Sequence, residues 1–432
     1  MLSERENAEL TQVGPGTPMG ALQRRYWHVV AAAGEMANTW TRRVKLLGED
    51  LVLFRDRSGR FGLIAEQCPH RRASLAYGIP ENDGIRCPYH GWKFDAAGAC
   101  VDQPNEPEGS TFKDKCATTA YPVEELGGLL WAYLGPQPAP LLPRWDGFVG
   151  HDVIRTCAWY PVRSNWLQIM ENSLDPIHTQ WLHGALLEFL EEASGLKVPT
   201  AKKQLKIAFD EWEFGIYKRR LLEGQTEDAD DWKIGHPVIF PNTLAVGSGG
   251  GHLWKLHTYQ LRVPMDDEQT MHYWYYAFEP PAGVEVPPRL FERLFFFEMP
   301  VRDERGAYLL DTIPVQDVMA WETPGAVARR DLERLGTTDE GIILYRRLLQ
   351  REMAKVAAGV DPLGMVRDPA RNVVIQFPIE RDKSNFTDGF DRVIRRSGMR
   401  RSPIVEDLRA LFAAYNGAKF ERSLTEPVGA GG

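Results

Sequence analysis

Cysteine is scarce in this chain. Five in 432 residues make a poor disulfide framework and point to a reduced, cytoplasmic protein. A basic excess is missing too: the formal net charge is −8 at pH 7, the wrong sign for binding a nucleic-acid backbone by counterion release. No apolar run approaches the roughly 18 residues that span a bilayer. The N-terminal MLSERENAELTQVGPGTPMG has no apolar core of a secretory signal. The expectation is therefore a chain with neither nucleic acid nor membrane as a partner. No internal repeat is present. What remains is ordinary globular material, 43% hydrophobic and 25% charged, enough for a sizeable core and long enough for two or three domains. Thirteen tryptophans suit a core and an aromatic-lined pocket equally well.

Residues 28–65 read as short strands, HVVAAA, RRVKLLGEDLVLFRD and FGLIAEQ, punctuated by Gly, Asn and Asp. The pattern continues through GWKFDAAGACVDQ and GGLLWAYLG. Proline cannot donate to a sheet ladder, so LGPQPAPLLPRWDG (134–147) reads as a linker. Residues 165–193 have helical periodicity, broken near Asp175-Pro176. Strand-like segments follow at 206–224, 236–247, 253–265 and 271–281, the last dense in aromatics. From about 327 the pattern is helical again, with Thr338-Asp339 as an N-cap. The fold class expected is α+β: a β-rich domain over 25–140 after a lead of 1–24, a larger domain over 141–425, and a flexible tail at 426–432.

The few cysteines and ten histidines are unevenly spread. CPHRRASLAYGIPENDGIRCPYHGW (68–92) holds Cys68, His70, Cys87 and His90, two Cys/His arms with sixteen residues between them. Four such ligands suit either a structural zinc ion stapling a binding module or a [2Fe–2S] cluster held by two thiolates and two imidazoles. Zinc sites of this composition usually pair Cys with Cys and His with His; here each arm is mixed. The stretch resembles the Rieske motif of iron–sulfur proteins, down to the proline after each cysteine and the His90-Gly91-Trp92 ending.

More than 280 residues follow, too many for a plain electron carrier. In ENSLDPIHTQWLH (171–183), His178 and His183 stand five apart, about 140° around a regular helix. Both reach one metal only if the helix is broken or bulged, and Pro176 supplies a local cause. Asp175, three residues before His178, lies on the same helix face, within reach of the ring's second nitrogen. A third ligand has three candidates in or near IPVQDVMAWETPG (313–325): Asp311, Asp317 and Glu322.

Beside a Rieske motif, this stretch resembles the ferrous site of Rieske non-haem iron oxygenases, where two His and one carboxylate hold iron and leave one side open. The resemblance covers nearly the whole chain and implies a catalytic domain of an antiparallel sheet flanked by helices, helix-grip in type. It selects Asp317 as the carboxylate, makes Asp175 the acid that bridges the cluster of one subunit to the iron of the next, and places Asn172 near the iron. It further implies a homotrimer, or a dimer of trimers, and a separate reductase with flavin and iron–sulfur centres, with or without a ferredoxin between. O2 is the co-substrate. PVQDVMAW and LERLGTTDEGIILYRRLL are similar to the phthalate-dioxygenase branch, which acts on aromatic carboxylates. STFKDK, YPVEELGGLLWAYLGPQPAPLLPRWD and NSLDPIHTQWLHG are similar to O-demethylases of a lignin-derived methoxylated biaryl acid within that group. An acid substrate needs a basic anchor. If 211–224 is one strand, Trp212, Phe214, Ile216, Lys218 and Arg220 share a face, and a ring-bound carboxylate would suit its two cations. His252, Trp254 and His257 are further candidates for that cavity.

Overall fold

The short β-branched and aromatic runs of the first third do become strands, because each ends at a residue suited to a turn. The computed structural model describes residues 2–193, 202–249, 254–376, 378–380, 394 and 396–416, so the expected tail at 426–432 and His252 lie outside the described residues. Two helices open the chain, α1 (Glu4–Thr11) and α2 (Pro18–Gln23). Eleven strands follow: β1 (Trp27–Ala32), β2 (Thr41–Leu46), β3 (Glu49–Arg55), β4 (Phe61–Ala65), β5 (Ile79–Glu81), β6 (Gly84–Arg86), β7 (Lys93–Phe94), β8 (Cys100–Asp102), β9 (Ala120–Tyr121), β10 (Val123–Leu126) and β11 (Leu129–Tyr133). They pair as three small antiparallel sheets, β1-β11-β10, β2-β3-β4-β9 and β5-β6-β7-β8.

The second part begins with α3 (Asp146–Val149), β12 (Ile154–Val162) and α4 (Trp166–Ser173). Next come α5 (His178–Gln180), a π-helical turn at Trp181–Ala185, and α6 (Leu186–Ala193). Then follow β13 (Gln204–Trp212), β14 (Gly215–Leu222), α7 (Asp230–Lys233), β15 (His236–Ile239), β16 (Thr243–Ser248), β17 (Lys255–Pro264), β18 (Thr270–Glu279) and β19 (Leu294–Glu298). Helices α8 (Ile313–Glu322), α9 (Glu340–Ala357) and α10 (Val405–Asn416) complete it. One eight-stranded sheet, β13-β14-β15-β16-β17-β18-β12-β19, carries this half. It is antiparallel throughout except at its β12–β19 edge.

Because side chains alternate along a strand, the register sorts them onto two faces. Lys218 pairs with His236, Leu244 with Gln260, Gln260 with Trp274 and Arg262 with His272. That face is covered by helices: Ile169 of α4, Val318 and Trp321 of α8, and Phe412 of α10 share a core with Trp274 and Phe278. The other face carries Cys157, Tyr259 and Tyr275 and, through Phe148 of α3, meets Trp131 of β11 in the β-rich part. Phe148 stacks on Tyr259 at 4.5 Å and stands edge-on to Trp131 at 5.4 Å. Emptying such a position usually costs about 3–5 kcal/mol, so this aromatic seam fixes the two halves to each other. No helix among the described residues is long and apolar enough to cross a membrane.

Two local expectations are corrected. Residues 206–224 are a hairpin, β13 and β14 around Glu213-Phe214, and not one strand. Gly215 permits the turn: its φ is +152° and a Cβ there would lie 2.0 Å from the Val238 carbonyl oxygen. Residues 326–336 are not helical. Arg330 is drawn inward to the Glu171 carboxylate (2.8 Å) and Asn7 (2.9 Å), which takes that stretch off a helical path; the helix begins only at Glu340. The 1–24 lead is part of the fold: Leu10, Val13, Met19 and Leu22 are fully buried, and the Asn165 amide donates to Thr11 O at 3.0 Å.

Candidate metal centres

The first centre stands on two matching loops, one between β4 and β5 and one between β6 and β7. Cys68 O accepts from Arg72 N at 2.9 Å, and Cys87 O accepts from Gly91 N at 3.0 Å. Each turn closes on a left-handed residue, Arg72 at φ +64° and Gly91 at +79°. Arg86 braces the second loop, donating to Gly91 O while pairing with Glu81 and Asp102. Both cysteines are buried, His90 is half-buried and His70 is exposed. The two imidazole rings lie 4.6 Å apart, and Trp92 stacks on His70 at 4.5 Å. Burial pushes the Cys68 thiol up to about 11, with Cys87 adding to the rise, so a metal is what would make Cys68 ionise. Ligands of one tetrahedral zinc ion lie about 2.0–2.3 Å from it and hence within about 4 Å of each other. Among the described residues, two groups of three or more ligand atoms fall within 4.8 Å, and these four residues form neither. Two thiolates and two imidazoles are the donor set of a Rieske-type two-iron cluster.

The second centre is one of those two groups: His178, His183 and Asp317. The five-residue spacing works because the chain makes a π turn at Trp181–Ala185, with the Leu186 N–H bonded to Trp181 O. A π turn adds a residue per turn and so brings i and i+5 onto one side. The bulge lies after Pro176, whose effect is to separate α4 from α5. His183 Nε2 is 3.1 Å and His178 Nε2 3.8 Å from Asp317 Oδ1. Asn172 Nδ2 donates to the same oxygen at 3.4 Å. Asp311 and Glu322, the other candidates, are taken up by Arg400 and by Arg302 with Tyr308.

The outer nitrogens show that the set fits a metal. His178 Nδ1 donates to the Asp175 carbonyl oxygen, not to its carboxylate, which is 3.8 Å away. An Asx turn explains the difference: Asp175 Oδ1 accepts from Ile177 N at 2.8 Å and His178 N at 3.3 Å. His183 Nδ1 donates to Gln316 Oε1 at 2.9 Å, and Gln316 is itself oriented by donating to Leu310 O at 2.8 Å. Both rings thereby keep a proton on Nδ1 and turn Nε2 inward, the atom that would ligate a metal. Burial holds His178 down to about 3. For His183 burial acts the same way, but Asp317 and Gln316 reverse it to a net rise. Burial raises Asp317, yet His183, His178 and Arg262 bring it below the usual carboxylate range. Two imidazoles and a carboxylate on one side of an ion leave the other side open.

Gln316 was not anticipated from sequence, though Gln-Asp flanked by PV and VMAW on a wholly apolar helix signals a buried amide. Nor was Arg262, a fully buried guanidinium that donates to Gln260 (2.8 Å), His272 (3.2 Å) and Met170 Sδ (3.8 Å). The substrate candidates divide. Lys218 lies on the helix-covered face. Arg220 shares that face but donates to Asp231 at 2.9 Å, which also accepts from Gln225. His257 pairs with Gly247 on the opposite face, 3.5 Å from Asp146, so it does not line the Lys218 side. Trp212 stacks on Tyr217, away from Ile216, and Phe214 sits in the turn against Trp145. The second ligand group, Asp231, His236 and Glu380, is a buried ion-pair network already joined to Arg220.

Residues 26–122 match the family model described as Rieske [2Fe-2S] domain, and residues 302–379 match "LigXa C-terminal domain like". The chain is 42% identical to the 5,5'-dehydrodivanillate O-demethylase oxygenase subunit of Sphingobium sp. strain SYK-6, over 88% of each. It is 31% identical to the phthalate 4,5-dioxygenase oxygenase subunit of Pseudomonas putida, over 84% of this chain and 89% of that one. It is 43% identical to a tert-butanol monooxygenase / tert-amyl alcohol desaturase oxygenase subunit of Aquincola tertiaricarbonis, over 81% and 76%. The terminal oxygenase of carbazole 1,9a-dioxygenase from Novosphingobium sp. KA1 superposes with a TM-score of 0.58 at 22% identity, over 77% of this chain and 95% of that one, which speaks to the fold alone.

Proposed function

The chain belongs to the Rieske non-haem iron oxygenases, as an oxygenase component with a Rieske cluster and mononuclear iron served by a separate electron donor; from that premise we propose that it O-demethylates a methoxylated aromatic acid of the 5,5'-dehydrodivanillate kind. The observation that carries the substrate class is the 42% identity over 88% of both chains to an enzyme of that name. The balanced reaction takes an aryl methyl ether, O2, two electrons and two protons to a phenol, formaldehyde and water. NAD(P)H supplies the electrons through a reductase with flavin and iron–sulfur centres, with or without a ferredoxin.

The cluster supplies single electrons and the ferrous ion the capacity to activate O2 beside a bound substrate. We assign the cluster to Cys68, His70, Cys87 and His90, and the iron to His178, His183 and Asp317. In this reading the protein's own work is positional. The Asp175 carbonyl and Gln316 hold the two imidazoles, and Asn172 holds the Asp317 carboxylate. Cys68 and Cys87 are buried while His70 faces solvent, which turns the histidine end of the cluster toward another molecule. The Asp175 carboxylate, not needed by its own His178 ring, remains to accept from such a partner. That arrangement supports a homotrimer in which the cluster of one subunit serves the iron of the next.

The test is product analysis with O2 and NAD(P)H consumption followed together. Formaldehyde formed one for one with O2 from methoxylated acids supports demethylation. A cis-diol from phthalates instead supports ring dihydroxylation, the second reading, favoured by the 31% identical phthalate relative. Oxidation of tert-butanol with no attack on any aromatic acid would overturn both.

A further inference from the structure

We propose that Lys218 selects an anionic substrate, its ammonium binding the carboxylate of an aromatic acid beside the iron triad. The inference rests on the aromatic-acid reading above and names the group that discriminates. Lys218 is only 4% exposed, and among the described residues its ammonium has no hydrogen bond or ion pair. A buried cation without a partner is expensive; a site built to receive an anion explains it. The two other cations on this face differ. Arg220 donates to Asp231, and Arg262 to Gln260, His272 and Met170.

Position and charge agree with this. Lys218 stands between Ile216, one step along the same face, and His236 across the ladder. Ile216 and its cross-strand neighbour Val238 are both buried, which makes the surroundings of the ammonium apolar. The carboxylates of Asp175 and Asp317 act on Lys218 through space, as do the cations of Arg220 and Arg262. Arg220 is matched by Asp231. Asp175 and Asp317 then balance Lys218 and Arg262, so a divalent ion in the triad leaves an excess of positive charge that a carboxylate would relieve. Burial, with Arg220 and Arg262, pushes Lys218 down to about 7, and an anion beside it would restore the ammonium.

The experiment is calorimetric titration, under argon, of iron-loaded holoenzyme with benzoate, phthalate and 5,5'-dehydrodivanillate, each beside its carboxamide. Lys218→Met and Lys218→Arg are compared with the wild type, with iron content and the visible spectrum of the cluster as integrity checks. Lys218→Met is expected to weaken the acids about 100-fold, the scale of a lost charge-assisted pair, and to leave the amides within about twofold. Lys218→Arg recovers most of the loss. Equal affinity for acids in Lys218→Met and wild type overturns the proposal, as does an equal loss for acids and amides, or a wild type that binds no aromatic carboxylate. Acids bound through Lys218 without formaldehyde release would instead overturn the demethylation reading and leave the anchor standing.

Discussion

The two metal centres are built on opposite plans. The first, as assigned, draws its four ligands from a 23-residue stretch, on loops projecting from short strands, with the two cysteines buried and the His70 ring exposed. The second, as assigned, draws two histidines from a bulged helix and a carboxylate from α8, 134 residues beyond His183, with Asp317 buried and both histidines half-buried. A centre that hands on electrons needs an exposed edge. A centre that performs oxidation needs ligands fixed from behind and water kept out.

If the plans are independent, one centre can be broken alone. His178→Ala is expected to lose mononuclear iron and to lower turnover by at least about a thousandfold, while the visible spectrum and two irons per chain of the cluster persist. Cys68→Ser should do the reverse and bleach the protein, with iron still bound at the triad. Metal and acid-labile sulfide analysis of both variants checks this. Loss of both centres in either variant would mean that they fold as one unit.

The next test concerns how they communicate. The Asp175 carbonyl, not its carboxylate, holds His178. Asp175→Asn keeps that carbonyl, so iron content should be unchanged. If the carboxylate links to the neighbouring cluster, single-turnover reoxidation of the cluster slows by roughly ten- to a hundredfold, the scale of one charge-assisted bond. Unaltered reoxidation would remove the bridge; loss of iron would return the carboxylate to its own ring.

The sequence disclosed the two centres unequally, for the same physical reason. The mixed Cys/His arms are local, so Cys68, His70, Cys87 and His90 could be read without knowing the fold. The five-residue spacing of His178 and His183 correctly demanded a bulge, but its place, after Trp181 and not at Pro176, depends on how the helix packs. Residues alone left Asp311, Asp317 and Glu322 equivalent, because an acid near a helix gives no sign of which arginine or tyrosine will take it. The hairpin at Glu213-Phe214 was missed since Trp212, Phe214 and Ile216 alternate as a single strand would. Only the Gly215 backbone, pressed against Val238, reverses the chain there.

Gln316 tests the rigid side of the comparison. Gln316→Leu removes the acceptor for His183 Nδ1 and leaves that proton buried without a partner. Affinity for Fe(II) should fall by about 10–100-fold, the usual cost of losing a group that orients a metal-bound histidine. The cluster's reduction potential, measured in the same sample, should not move. Gln316→Glu keeps an acceptor and should retain most of the iron. A shifted cluster potential in Gln316→Leu would show that the triad and the loops are mechanically coupled after all.

The smallest effect sits inside the first centre, where the matching loops are not equal. Gly91 holds φ +79°, and a Cβ there would lie 2.8 Å from Pro104 Cγ; Arg72 holds φ +64° with a side chain already present. A left-handed conformation costs an ordinary residue about 1–2 kcal/mol. Gly91→Ala therefore incurs that strain and the contact with Pro104, and should lower stability by about 1–2 kcal/mol. Arg72→Gly relieves the strain but returns conformational freedom to the unfolded chain, so the two terms nearly cancel and stability stays within about 1 kcal/mol of wild type. Thermal loss of the cluster's visible absorbance ranks the variants. A Gly91→Ala protein as stable as Arg72→Gly would mean that neither the left-handed backbone nor the Pro104 contact costs the alanine anything.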